Sequence, residues 1–253
     1  MISRRLFCFA AASALIARET AAEPAPDAPA RRLRVSMYSG ATEYHSDETL
    51  AALKQYLEQR HNVQCTLNKV TDIHSMPGLD QLETCDVAVI FTRRVECPPE
   101  QVAQIKKYME SGRGVVGIRT ASHAIQTWLE FDKEVLGGDY HNHDKADEQS
   151  NVQIDPGAKS HPILAGVEDF TTIGKLYRNP QIARDVTLLL SATNKDDHQP
   201  VAWARTRPEH KDQRVFYTSL GVPTDFDNEN FRRMIANALF WCARMEPTAK
   251  SVK

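Results

Sequence analysis

Two apolar runs constrain this chain more than any other feature. "CDVAVIFT" (Cys85–Thr92) and "GVVGIRT" (Gly114–Thr120) are too uniformly apolar to leave one side in water. Strands of that kind must be covered on both faces, the condition of central strands in a parallel sheet flanked by helices. The neighbouring segments supply the covers. "SDETLAALKQYLEQR" (Ser46–Arg60) places Leu50, Leu53 and Leu57 on one helical face behind a Ser46/Asp47 cap. "PPEQVAQIKKYMESG" (Pro98–Gly112) opens on prolines, stops at a glycine and aligns Val102, Ile105 and Met109. A third helix is expected through "ASHAIQTWLEFDKEVL" (Ala121–Leu136), and a last one through "NFRRMIANALFWCAR" (Asn230–Arg244), with Cys242 in its buried stripe.

Further strands are expected at "RRLRVSMYSG" (Arg31–Gly40) and "NVQCTLNKV" (Asn62–Val70). In the second half they are "NVQIDPG" (Asn151–Gly157), "VTLLLSA" (Val186–Ala192), "PVAWAR" (Pro200–Arg205) and "RVFYTSLG" (Arg214–Gly221). The expectation is one α/β domain over residues 32–246, with a mostly parallel sheet and helices on both faces.

The first residues have a different character. A basic start, an apolar stretch from Leu6 to Ala17 and small residues around Ala21 and Ala22 give the layout of an export signal over residues 1–22. "SRRLF" (Ser3–Phe7) resembles a twin-arginine signal, with an ordinary secretory signal as the alternative. Residues 23–31 then read as a Pro/Ala-rich linker. This layout predicts a periplasmic or extracellular protein with no transmembrane segment in the mature chain. The formal charge is only −2, so nothing favours nucleic acid as a partner. Cys65, Cys85, Cys97 and Cys242 form no C-x-x-C pair and read as buried thiols.

In an open parallel sheet the ligand crevice lies beyond the carboxyl ends of the strands. Those ends deliver Tyr44, His45 and Asp47, then Thr92 and Arg93, then Arg119, Thr120, Ser122 and His123, and finally Thr218, Ser219, Asp225 and Asp227. Each has a plainer reading: Asp47 and Asp225 as helix starts, His45 as a solvated side chain. The strand-to-helix elbow of "GIRTASHA" presents Arg119 where a thiol enzyme would present cysteine, and a guanidinium is not a nucleophile.

With these pieces in order, the chain resembles the ThuA-like (trehalose utilisation) family. The resemblance rests on "GRGVVGIRTASHA" (Gly112–Ala124), "LGGDYHNHD" (Leu136–Asp144), "SHPILAGV" (Ser160–Val167), "KLYRN" (Lys175–Asn179), "PVAWAR", "RVFYTSLG" and "NFRRMIANALFW". It implies a three-layer, flavodoxin-like fold of the class I glutamine amidotransferase type without the nucleophilic cysteine, and a place in sugar metabolism. Many relatives read "LGH" after the last strand, where this chain has Val222.

In "GGDYHNHD" (Gly137–Asp144) an extended backbone would put His141 and His143 on one side. Two imidazoles are half of a divalent-metal site such as zinc, which asks for three or four N/O donors at about 2.0–2.2 Å. Asp144, His123 and His45 are the candidate completions. A direct sugar contact and a plain polar loop remain the other two readings. His161, before Pro162, reads equally as a turn histidine bonded to local backbone.

The expected partner is a small carbohydrate. His123, His45 and Arg119 are the candidate catalytic residues, and Tyr44, Tyr140 and Asp225 the candidate substrate contacts. The chemistry suited to histidines without a cysteine is proton abstraction beside a carbonyl, as in elimination or hydrolysis of a keto-glycoside. A non-catalytic carbohydrate-binding module is the rival. A two-carboxylate glycosidase would need Asp47, Asp225 or Asp227 facing one another.

Overall fold

The computed structural model describes residues 31–145 and 147–250. The expected signal over residues 1–22 and nearly all of the linker lie outside them. In chain order the regular elements are β1 (Leu33–Gly40), α1 (Ser46–Arg60), β2 (Val63–Lys69), β3 (Val87–Thr92), α2 (Pro99–Met109) and β4 (Gly114–Ile118). Then come β5 (Asn142–His143), β6 (Glu148–Ile154), β7 (Phe170–Gly174), β8 (Tyr177–Arg178), β9 (Val186–Thr193), β10 (His198–Arg207), β11 (Gln213–Thr218) and α3 (Glu229–Ala243).

The main sheet runs β2-β1-β3-β4-β11-β10-β9-β6-β7. Its first five strands pair in parallel, and their 2-1-3-4-11 order is that of a flavodoxin-like sheet. The other four add on antiparallel, so the sheet is mixed rather than mostly parallel. The reason is local. The connections between β9, β10 and β11 are short turns, and a parallel return needs a crossover of a dozen residues or more. Apolar continuity marks a covered strand without stating its direction.

Both faces are covered. Leu50, Leu53 and Leu57 of α1 pack with Phe231, Ile235 and Leu239 of α3 on one side, while Ile105, Tyr108 and Met109 of α2 pack with Trp128 and Phe131 on the other. Every side chain of β3 is buried, as its composition requires. Cys65, Cys85, Cys97 and Cys242 are buried free thiols; burial pushes Cys65 up to about 12 and Cys97 up to about 11, so neither presents a thiolate.

Two local expectations fail. No α-helix forms over Ala121–Leu136; there are a short 3-10 turn at Arg119–His123 and a single π-type turn at Asp132–Leu136. Residues 124–126 instead pair with Val95, whose amide donates to the Ala124 carbonyl while its own carbonyl takes the Gln126 amide, both at 2.8 Å. Those backbone groups are thereby withdrawn from a helix. Nor do Ser46 and Asp47 cap α1. The cap position is His45, in a left-handed conformation, while Ser46 Oγ accepts the Ala41 amide at 2.8 Å and Ser39 Oγ donates to Asp47 at 2.5 Å. Both side chains tie the helix start back to the end of β1.

Candidate functional site

The flavodoxin-like order reverses between β1 and β3, and the carboxyl edge there is where such folds bind ligands. The backbone is strained at the same edge. Of six non-glycine residues with positive φ among the described residues, three sit just past parallel strands: His45 (48°), Arg94 (51°) and Arg119 (45°) follow the ends of β1, β3 and β4. Each such conformation costs a non-glycine residue about 1–2 kcal/mol, and strain of this kind collects at functional sites.

Arg119 stands on the elbow after β4. Its side chain turns inward. Nη1 donates to the Ser219 carbonyl at 2.8 Å and Nη2 to the Lys175 carbonyl at 3.3 Å. The guanidinium lies 4.3 Å from the ring centre of Tyr44 and 4.7 Å from that of Tyr177, and the residue is 3% exposed. A cation held between two rings is substantially stabilised once desolvated. Expected as a catalytic contact, Arg119 is too enclosed to touch a substrate: it anchors the tyrosines and supplies charge from beneath.

His123 is placed differently. Its ring stacks on Tyr140 at 4.8 Å and tilts toward Tyr177 at 6.1 Å. Burial, reinforced by Arg93, Arg94, Arg119 and His143, pushes its pKa down to about 4. The imidazole is therefore neutral at physiological pH. Nδ1 and Ser122 Oγ are 3.0 Å apart, and that hydroxyl also reaches the Arg119 carbonyl at 3.5 Å. With the hydroxyl hydrogen on the carbonyl, Ser122 oxygen accepts from Nδ1–H, leaving the Nε2 lone pair for a ligand.

The "GGDYHNHD" loop reaches this site through Tyr140 and His143. Asp132 holds it there: its Oδ2 accepts the Tyr140 amide at 2.9 Å, and its main-chain carbonyl accepts the Gly138 amide at 3.1 Å. Both glycines are required. Gly137 has φ +75°, and a Cβ on Gly138 would lie 2.2 Å from Asp132 Oδ1. Asp132 is itself buried, its Oδ1 has no hydrogen-bond partner, and burial pushes its carboxyl up to about 7. β5 then pairs with β8, which brings His143 over the Tyr177 ring at 6.1 Å.

The metal reading does not survive this geometry. His141 Nε2 turns to Asp139 Oδ1 at 3.1 Å, whereas His143 Nδ1–H donates to the Asp144 carbonyl at 2.7 Å. Asp144 is engaged by Arg178 and Asn194. No group of three or more His, Cys, Asp or Glu side chains among the described residues is placed to hold an ion.

Asp225 also differs from expectation. One oxygen accepts from Thr172 Oγ1 at 2.7 Å, the other from the Gly221 and Val222 amides at 2.7 and 3.1 Å. It shapes the turn after β11 and offers a sugar nothing. Asp47 is likewise committed to Ser39 and to Lys69, which leaves a two-carboxylate glycosidase without its pair. Val222, where many relatives carry histidine, is buried beside Gly174, whose Cβ would meet its Cγ1 at 2.7 Å. His45 is exposed at the rim, and Tyr44 is half-buried with its hydroxyl 3.5 Å from that of Tyr177. His161 is a turn histidine, with Nδ1 accepting the Ile163 amide at 3.2 Å.

Arg94, Asp132 and Tyr177 were not singled out from sequence. Tyr177 lay inside the "KLYRN" segment and Arg94 beside Arg93. Asp132 gave no signal, because only the folded loop makes it buried. A wide cavity of about 820 Å³ lies elsewhere, along β6 and β9, but its Asp155 and Asp169 already accept from the Gly157 and Ile154 amides. The strained, aromatic strand-end crevice is the better candidate.

Fold and site together define a flavodoxin-like α/β protein whose nucleophile elbow carries a buried arginine beside a neutral histidine. The chain belongs to the ThuA family, described as trehalose utilisation, whose model matches residues 34–242. Its structure is similar to that of a ThuA-like protein from Bacteroides uniformis, at 20% identity and TM-score 0.66 over 87% of this chain and 95% of that one. A ThuA-like protein from Parabacteroides merdae is similar at 18% identity and TM-score 0.66, over 88% and 94%. A GH42 β-galactosidase from G. stearothermophilus shares the fold at 11% identity and TM-score 0.57, over 86% of this chain and 31% of that one. No curated protein matches the chain.

Proposed function

We propose that the chain is an exported, carbohydrate-related protein whose crevice at the β1/β3/β4 edge takes a keto-sugar or keto-glycoside. Tyr140, half-buried, offers an apolar ring face beside hydrogen-bonding groups, the combination a sugar ring requires, and the buried Tyr177 backs it from beneath. The observation that carries the reading is His123: neutral, stacked on Tyr140 and oriented through Ser122 so that Nε2 is free. In the reaction, Nε2 removes the proton from the carbon beside the keto group, and the C–H electron pair becomes the enolate. Arg93, Arg94 and Arg119 make the surroundings positive where that charge develops. Collapse of the enolate expels the glycosidic oxygen, which recovers the proton from the imidazolium.

Purified protein mixed with 3-keto-disaccharides and with the parent disaccharides tests this directly. Saturable binding and turnover of the keto form, both reduced in His123→Ala, are expected; neither binding nor turnover of any of these sugars would sink the reading. One observation favours the rival, a non-catalytic sugar-binding module: a histidine with a pKa of about 4 is a weak base at neutral pH. That rival predicts binding without turnover, and affinity loss alone in His123→Ala. Export rests on residues 1–22, and the N-terminal sequence of the protein recovered from cells tests it; an intact Met1 on the exported protein would count against cleavage after Ala22.

A further inference from the structure

The crevice carries a guanidinium with nothing to neutralise it. Arg93 pairs with Glu43 at 3.3 Å, and the buried Arg119 has Asp225 as its balancing carboxylate. At the margin Lys69 pairs with Asp47, His141 with Asp139, and Arg178 with both Asp144 and Asp197. Arg94 is exposed and has no ion pair or side-chain hydrogen bond among the described residues. Unpaired surface arginines are ordinary, but this one is held in place. Its backbone is left-handed at φ 51°, its amide donates to the His123 carbonyl at 2.8 Å, and the next amide, of Val95, donates to the Ala124 carbonyl at 2.8 Å. The strained turn after β3 is thereby locked to the residue that bears the free Nε2.

We infer that the ligand of this crevice is a sugar acid, a uronate form of the sugar proposed above, whose carboxylate pairs with Arg94 while its ring lies against Tyr140. The inference rests on the sugar reading above and adds the charge of the ligand to it. Guanidinium and carboxylate match as two planar forks, which fixes orientation as well as adding attraction. The carboxylate also offsets the positive surroundings of His123, so binding raises the histidine's pKa toward its ordinary value and makes it a better base at neutral pH.

The test is calorimetric binding of glucuronate, galacturonate, glucose and glucose 6-phosphate to the full chain, to Arg94→Gly and to Arg94→Lys, at low and high salt. Glycine accepts the backbone conformation at position 94 without strain, so Arg94→Gly removes the charge without endangering the fold, and thermal unfolding verifies this. The expected result is that an acid binds roughly tenfold or more tightly than glucose. That preference falls with salt, weakens in Arg94→Lys and disappears in Arg94→Gly, and an NMR titration shows the His123 pKa rising with the acid bound. Equal affinity for glucose and the acids, an unchanged preference in Arg94→Gly, or tighter binding of the phosphate would each overturn the inference while leaving a sugar site standing. If no sugar of any charge binds, the reading beneath it falls as well.

Discussion

The elbow after β4 and the loop over Gly137–Asp144 both carry the residue types of a site, and they are built in opposite ways. At the elbow, Arg119 is buried, its two Nη groups donate to fixed carbonyls, and its charge lies against two tyrosine rings. In the loop, His141 and His143 are exposed and satisfied by neighbours one or two residues away. The loop is gripped from a distance at Tyr140, by Asp132, and along β5 and Asp144, by β8, Arg178 and Asn194. The lesson is that a cluster of titratable residues in sequence does not make a constellation in space. The elbow's residues act together because a strand end and its strained turn leave them no freedom, and the loop takes part only where another element holds it.

This contrast is broken most severely by Arg119→Met. It removes the two donors that meet the Ser219 and Lys175 carbonyls and the cation packed on Tyr44 and Tyr177, so a loss of about 2–4 kcal/mol is expected in denaturant unfolding. Arg119→Lys should recover little of it, since an ammonium cannot span two carbonyls and two rings. A near-neutral result would show that the elbow tolerates substitution as readily as the loop.

Next in size is His123→Ala. It should leave stability nearly unchanged and lower turnover of a keto-glycoside roughly 10²–10⁴-fold, or abolish specific binding if the protein is a binder. The histidine also leaves a signature in stability. Its folded pKa lies below its unfolded value, so its contribution is complete above about pH 6.5 and is lost as pH falls toward about 4. Wild type should therefore lose more melting temperature than His123→Ala across that window.

Asp132 titrates in the opposite sense. A carboxyl raised to about 7 by burial favours the fold while protonated, so its penalty grows from about pH 4 and is complete above pH 7. Melting temperature measured from pH 5 to 8 should decline less in Asp132→Asn than in wild type. Loosening of the Tyr140 amide should appear in the same variant as faster hydrogen exchange. The smallest effect belongs to His141→Ala, expected within about 0.5 kcal/mol in stability and about twofold in sugar affinity. A large loss of affinity there would return the loop to the centre of the site.

The covered strands, the amphipathic α1 and α2 and the closing α3 were all legible, because burial on one or two faces imposes a period on the sequence. The edge to which the parallel strands deliver their carboxyl ends was legible too, since parallel strands all point the same way. Strand direction beyond β11 was not, nor was the fate of Ala121–Leu136, where pairing with Val95 overrides local helical preference. Within the site, sequence brought His123, Arg119 and Tyr140 to notice without their roles. The buried position of Arg119 and the grip of Asp132 on Tyr140 depend on groups that meet across eight to about a hundred residues of chain. By itself, the sequence determined the alternation of covered strands and helices that makes the sheet, because hydrophobic periodicity is a local property. Only the tertiary structure decided which histidine is enclosed among aromatic rings and which arginine is left unpaired, because burial, charge balance and hydrogen-bond partners belong to the folded surroundings of a residue.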